Sequence, residues 1–174
     1  MVDIGNKCCG CGNCAIVCPK HCIEMRPNSR GFLFPAIDHE SCIHCGKCEN
    51  SCPVLNTESE DAEDTAFFAA INQNKAERVA SSSGGFFPVL AEYVLDMGGV
   101  VFGAAFDEGA HHLHHIIIKT KEELISQRGS KYIQSDLEKS FSTAESLLKA
   151  EQTVLFTGTP CQIAALYSYL GCSY

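Results

Sequence analysis

Cys8, Cys11, Cys14 and Cys18, followed by Pro19, and Cys42, Cys45, Cys48 and Cys52, followed by Pro53, write one pattern twice: C-x2-C-x2-C-x3-C-P. Thiolates are soft ligands, and two-residue gaps turn three of them toward one corner of an iron-sulfur cube. The residue three positions further on leaves along a helix, so the fourth cysteine of each run reaches the other cube. The spacing therefore predicts one 4Fe-4S cluster on Cys8, Cys11, Cys14 and Cys52 and a second on Cys42, Cys45, Cys48 and Cys18. The chemistry expected is electron transfer. These eight are most of the chain's twelve cysteines; Cys9, Cys22 and Cys172 read as packing residues or bystanders.

Two other uses of cysteine compete. A disulfide framework belongs to oxidising compartments, and a secreted chain opens on a basic stretch followed by an apolar one. Met1–Lys7 is neither. Structural zinc pairs two C-x2-C knuckles across a longer loop, whereas here three cysteines of the repeated pattern crowd into seven residues, twice. The repeated run is the signature of a two-cluster ferredoxin module, and residues 1–56 contain it.

The elements that position these groups follow from the rest of the chain. Its 174 residues, 45% of them hydrophobic, suffice for one domain plus a small module. No apolar run reaches the roughly 18 residues that span a bilayer, so no membrane span and a cytoplasmic location are expected. The formal net charge of -8 argues against a nucleic-acid partner, whose phosphates select clustered Lys and Arg. Residues 57–64 carry five acidic side chains and no basic one, against five of each sign in residues 1–56. With no large apolar side chain to bury, 57–64 reads as an acidic linker.

Before that linker, Ile23–Arg26 and Phe32–Ile37 flank the turn-rich Pro27–Gly31 and predict a hairpin joining the two cysteine runs. After it, strand and helix signals alternate over residues 65–174. Ala66–Ile71 reads as a strand, Phe86–Met97 as a helix stopping at Gly98-Gly99, and Val100–Phe106 as a buried strand, together a β-α-β crossover. His112–Lys119 pairs with the last through the Asp107–Gly109 turn. A helix near Lys121–Arg128, another at Leu137–Ala150, a strand at Thr153–Thr157 and a helix opening at Pro160 complete the series. The fold class expected is α+β, a dicluster ferredoxin-like module followed by a mixed α/β domain.

Three further segments carry weaker chemical signals. Ser82-Ser83-Gly84-Gly85 precedes a helix whose free N–H groups and positive end suit a phosphate, although a serine there can equally be a simple N-cap. In Gly129-Ser130-Lys131-Tyr132, Lys131 could meet a phosphate or a flavin ring and Tyr132 could stack, or Lys131 could be a solvated surface charge. In Thr157-Gly158-Thr159-Pro160-Cys161-Gln162 a strand ends and a helix starts, which puts Cys161 in the first turn, where the helix dipole favours a thiolate. A small buried core residue is the other reading of Cys161. His111, His112, His114 and His115 read as an exposed strand start, with alternation sending His112 and His114 one way and the other two the opposite way.

Taken in order, the dicluster run, Ser82-Ser83-Gly84-Gly85-Phe86, Val101-Phe102-Gly103-Ala104, Gly129-Ser130-Lys131-Tyr132 with Gln134-Ser135, and Thr157-Gly158-Thr159-Pro160-Cys161-Gln162 resemble the family of coenzyme F-420 hydrogenase/dehydrogenase beta subunits. The resemblance covers nearly the whole chain. It implies a flavoprotein oxidoreductase, or part of one, that passes electrons between iron-sulfur clusters and, through FAD, a hydride donor or acceptor such as the deazaflavin F-420 or a nicotinamide. It makes Ser83, Gly84, Gly85 and Lys131 candidate flavin-site residues and Cys161 a candidate ligand of a third cluster. It also implies a redox partner protein or electron carrier. The family's second part, with a further Cys and a C-x2-C, has no counterpart here, so the chain reads as a truncated flavin-type domain whose FAD binding needs a longer chain. A non-catalytic ferredoxin-type carrier with a docking domain is the alternative function.

Overall fold

The computed structural model describes residues 5–56, 66–109, 111–137 and 139–171. The expected linker 57–64 and Cys172 lie outside them. By its contacts the chain groups into two units, a cysteine unit of Met1–Ser59 with Gly158–Tyr174, and a sheet unit of Glu60–Thr157. The final helix, which the sequence assigned to the second domain, thus groups with the cysteine runs.

In the cysteine unit two short helices, α1 (Asn13–Ile16) and α2 (Lys47–Asn50), repeat one another. Each is entered through a left-handed glycine, Gly12 at φ 79° and Gly46 at φ 74°. This conformation suits glycine at no steric cost. It lets the chain turn sharply between the second and third cysteine of each run. Between the helices run β1 (Ile23–Pro27) and β2 (Leu33–Ile37), antiparallel from Ile23 opposite Ile37 to Pro27 opposite Leu33. The turn is held by Asn28, whose Oδ1 accepts from the backbone N–H groups of Arg30 and Phe32. Asn13, fully buried, donates through Nδ2 to the Ser51 carbonyl at 2.8 Å and ties the two halves of the repeat together. Cys18, Cys22 and Ile23 form the unit's small buried core, with Cys14, Ala15, Ile37, Cys42 and Cys48 packed around it.

The sheet unit contains α3 (Lys75–Ala80), α4 (Phe86–Asp96), β3 (Val100–Phe106), β4 (Leu113–Ile118), a 3-10 turn at Glu122–Gln127, α5 (Ser140–Lys149) and β5 (Val154–Phe156). Strand order is β4-β3-β5, with β3 antiparallel to β4 and parallel to β5. Alternation on β3 divides the core between two faces. Val101 packs with Ala91 of α4, Ile118 and Leu124, while Val100 and Phe102 pack with Ala144 of α5. The expected strand Ala66–Ile71 does not form. The segment has strand composition, but no described strand pairs with it, and Phe67 and Phe68 stand 88% and 91% exposed. The expected β-α-β crossover over 66–106 is therefore absent, and β3 finds its parallel neighbour in β5. The final helix, α6 (Pro160–Leu170), makes contact with α1 inside the cysteine unit.

Candidate functional sites

Among the described residues of the cysteine unit, the cysteines divide between two cavities across the repeat. One is lined by Cys42, Cys45 and Cys48 together with Cys18, and also by Cys22. The other is lined by Cys8, Cys11 and Cys14 together with Cys52, and also by Cys9. The walls are apolar where the hairpin meets them: Ile23 and Ile37 face the first cavity, Met25 and Pro35 the second. Burial pushes the thiols of Cys11 and Cys14 up to about 12. Such groups become thiolates at neutral pH only when a cation bonds them, since coordination deprotonates a thiol outright. Among the described residues no three His, Cys, Asp or Glu converge on a single ion. The thiols ring each cavity, which suits a multi-iron cube with one iron per thiol. The Gly10 N–H donates to Cys8 Sγ at 3.4 Å, the kind of contact that tunes a cluster's potential.

In the sheet unit, two of the expected flavin-site segments meet. Ser82 Oγ accepts from the Ser130 N–H at 2.7 Å, which joins the Ser82–Gly85 loop to Gly129–Lys131. The N-cap of α4 is Gly85 at φ 68°, without a side-chain cap, so the serine-cap reading does not apply. Ser83 itself is left-handed at φ 55° and exposed. A Cβ on Gly84 would collide with the Ala70 carbonyl oxygen, so only glycine fits where these two backbones pass. Lys131 is folded down, with Nζ donating to the carbonyls of Gln127 at 2.6 Å and Arg128 at 3.0 Å, and burial lowers its pKa. Sequence reasoning missed Asn72, Glu77, Arg78 and Arg128. Arg78 donates to the Asn72 carbonyl, Asn72 donates to the Gly85 carbonyl, and Arg128 pairs with Glu77. The Asn72–Gly85 and Glu77–Arg128 contacts join residues distant in the chain, and no local pattern announces them.

At α6, Pro160 opens the helix and Gln162 Oε1 accepts from the Thr159 N–H at 3.0 Å, half of a capping box. Cys161 is half-buried, with Sγ 3.1 Å from Thr159 Oγ1, and its thiol lies near that of Cys9. The four histidines divide differently from the exposed strand start expected of them. His112 and His114 stack with rings 5.3 Å apart, while His115 is buried, stacked on Phe156, with Nε2 3.0 Å from the Thr157 carbonyl. Burial lowers the His115 pKa from its ordinary 6.5. The unfolded chain binds a proton there that the folded unit resists. Stability is therefore full above that value and falls as pH drops below it. Thermal unfolding of the sheet unit should shift to lower temperature between about pH 7 and pH 5, and His115→Phe should flatten that dependence. An unchanged slope in the variant would assign the effect to other groups.

The comparisons with known proteins follow the same division of the chain. Residues 7–56 and 34–84 match family profiles described as 4Fe-4S dicluster domain. Residues 67–142 match the family described as Coenzyme F420 hydrogenase/dehydrogenase, beta subunit N-term. The chain is 24% identical to one subunit of the F(420)H(2) dehydrogenase of Methanosarcina mazei, over 91% of its own length and 47% of that protein's. It is 25% identical to an uncharacterized protein of Methanocaldococcus jannaschii over 95% of its own length and 53% of the other's. The cysteine region alone is 35% identical to a ketoisovalerate oxidoreductase subunit of Methanothermobacter marburgensis, over 29% of this chain and 66% of that one. The class so defined is that of iron-sulfur proteins with a 4Fe-4S dicluster domain. The chain is similar over residues 67–142, less than half of its length, to the N-terminal part of the coenzyme F-420 hydrogenase/dehydrogenase beta subunit. It spans about half the length of the relatives that it matches end to end. Among the described residues no helix is long and apolar enough to cross a membrane.

Proposed function

We propose that this chain is the electron-transfer part of a flavin-linked oxidoreductase. In this reading it exchanges electrons between its two clusters and a hydride donor or acceptor such as deazaflavin F-420 or a nicotinamide, and with a redox partner protein or carrier. The observation that carries the reading is the division of the cysteines, three from one run and the last of the other around each cavity. We assign Cys8, Cys11, Cys14 and Cys52 to one cluster and Cys42, Cys45, Cys48 and Cys18 to the other. Clusters bound there supply one-electron steps. Asn13 and the hairpin hold the two cysteine sets in fixed relation, and Ile23, Ile37, Met25 and Pro35 give the cavities apolar walls.

The flavin part rests on the uncapped α4 start and on the glycine pair before it. Free N–H groups at Phe86 and Phe87, with no Cβ at Gly84 or Gly85, form a cradle that accepts a phosphate. We assign Ser83, Gly84 and Gly85 to it, with Lys131 close by through the Ser82–Ser130 bond. FAD there would convert between a two-electron hydride and single electrons. Cys161 we assign to a third cluster completed by residues of a longer version of the chain. Anaerobic reconstitution with iron and sulfide should load about eight irons per chain, and added FAD should bind with its fluorescence quenched. Gly84→Val, which pushes the loop away from Ala70, should abolish the quenching and leave the iron count unchanged. Eight irons with no flavin binding to the chain or to a longer version would favour the carrier reading; a colourless chain would overturn both.

A further inference from the structure

The cavity assigned to the second cluster has five thiols around it where a cube of four irons uses four. Cys22 is 7% exposed, and its Sγ lies 3.4 Å from Cys18 Sγ. It lines the same cavity as Cys18, Cys42, Cys45 and Cys48, and Cys42 packs against it in the buried core. The backbone brings it there. Cys18 is followed by a tight turn in which the His21 N–H donates to the Cys18 carbonyl at 3.1 Å and His21 itself is left-handed at φ 49°. The chain then enters β1, where the Cys22 carbonyl accepts from the Asp38 N–H at 2.8 Å. Cys22 is thereby pinned on both sides with its thiol at the cavity wall.

The internal repeat supplies a control inside the same molecule. Cys52 stands where Cys18 stands, and the residue four positions on is Asn56. The Asn56 Nδ2 donates to the carbonyls of Glu49, Asn50 and Cys52, so that side chain closes α2 and brings no thiol to the other cavity. Cys9, the fifth thiol of that other cavity, is covalently adjacent to the ligand Cys8 and lies near Cys161.

We propose that Cys22 is a reserve ligand of the second cluster site, able to fill the iron position otherwise held by Cys18. The proposal rests on the crossed ligand assignment above. The exchange balances without any change of oxidation state: the iron–Sγ bond to Cys18 breaks, the iron–Sγ bond to Cys22 forms, and the Cys22 proton passes to Cys18. In a chain lacking Cys18 the proton goes to water and the exchange has one outcome. The site would thus survive damage to one of its ligands, whereas its partner site would not.

Four variants of the full chain, reconstituted anaerobically, test this by iron and sulfide analysis and by the electron paramagnetic resonance of the reduced protein. Cys18→Ala and Cys22→Ala should each keep about eight irons and the signal of two interacting clusters. The double variant Cys18→Ala/Cys22→Ala should keep about four irons and show one isolated cluster, and so should Cys52→Ala. A further variant, Cys18→Ser, guards against a packing artefact of the smaller side chain and should behave as Cys18→Ala does. If Cys18→Ala and Cys52→Ala both fall to about four irons, the reserve ligand is wrong. If Cys52→Ala keeps the full iron content, the crossed assignment itself fails.

Discussion

Removing iron from the assembled chain with a chelator under reducing conditions will unfold the cysteine unit and leave the sheet unit folded. The cause is the composition of the two cores. Besides α6, the cysteine unit has two four-residue helices and one hairpin, and the buried core between them is Cys18, Cys22 and Ile23 with further cysteines against it. Segments this short are not stable alone in water, and so few buried apolar groups fall short of the conformational entropy of ordering the unit. Binding free energy at the thiols is then folding free energy. The sheet unit buries Val100, Val101, Phe102, Ile118, Leu124 and Phe141 without using a cysteine. Hydrogen exchange read by mass spectrometry should show β1, β2, α1 and α2 losing protection on chelation, while β3, β4 and α5 keep theirs. Retained protection across Ile23–Ile37 in the iron-free chain would sink the idea.

Truncating Phe102 should have the converse effect. Its ring is fully buried, stacked on Phe156 at 5.2 Å, with Phe141 meeting Phe156 edge-on at 5.7 Å and Ala144 of α5 beside it. Phe102→Ala removes the most deeply buried ring stacked on Phe156 and leaves a cavity, at a cost of about 3–5 kcal/mol. Against a typical total of about 5–15 kcal/mol, that is a large share of the unit's stability. Denaturant unfolding followed by circular dichroism should show the sheet transition moving to much lower denaturant, with the iron content unchanged. A shift of less than about 1 kcal/mol, the size of a tolerated core swap, would mean that the ring does not carry the packing of this face.

These outcomes separate what can be read in a line of residues from what cannot. The cysteine runs were legible because a cluster ligand set is written at short fixed spacings, and because Gly12 and Gly46 repeat the same backbone need at the same place. The hairpin, α4, β3, β4 and the start of α6 were legible for a similar reason, since alternation, helical period and a proline at the first helical position are local. Ala66–Ile71 was not, because apolar composition states a preference for burial without naming a partner strand. Tertiary structure alone decided that Cys22 returns to within 3.4 Å of Cys18, that Ser82 receives the Ser130 N–H, and that His115 is buried on Phe156 while His111 and His112 stay exposed. Each of these depends on where two chain segments pass in space, and sequence spacing carries no record of that distance.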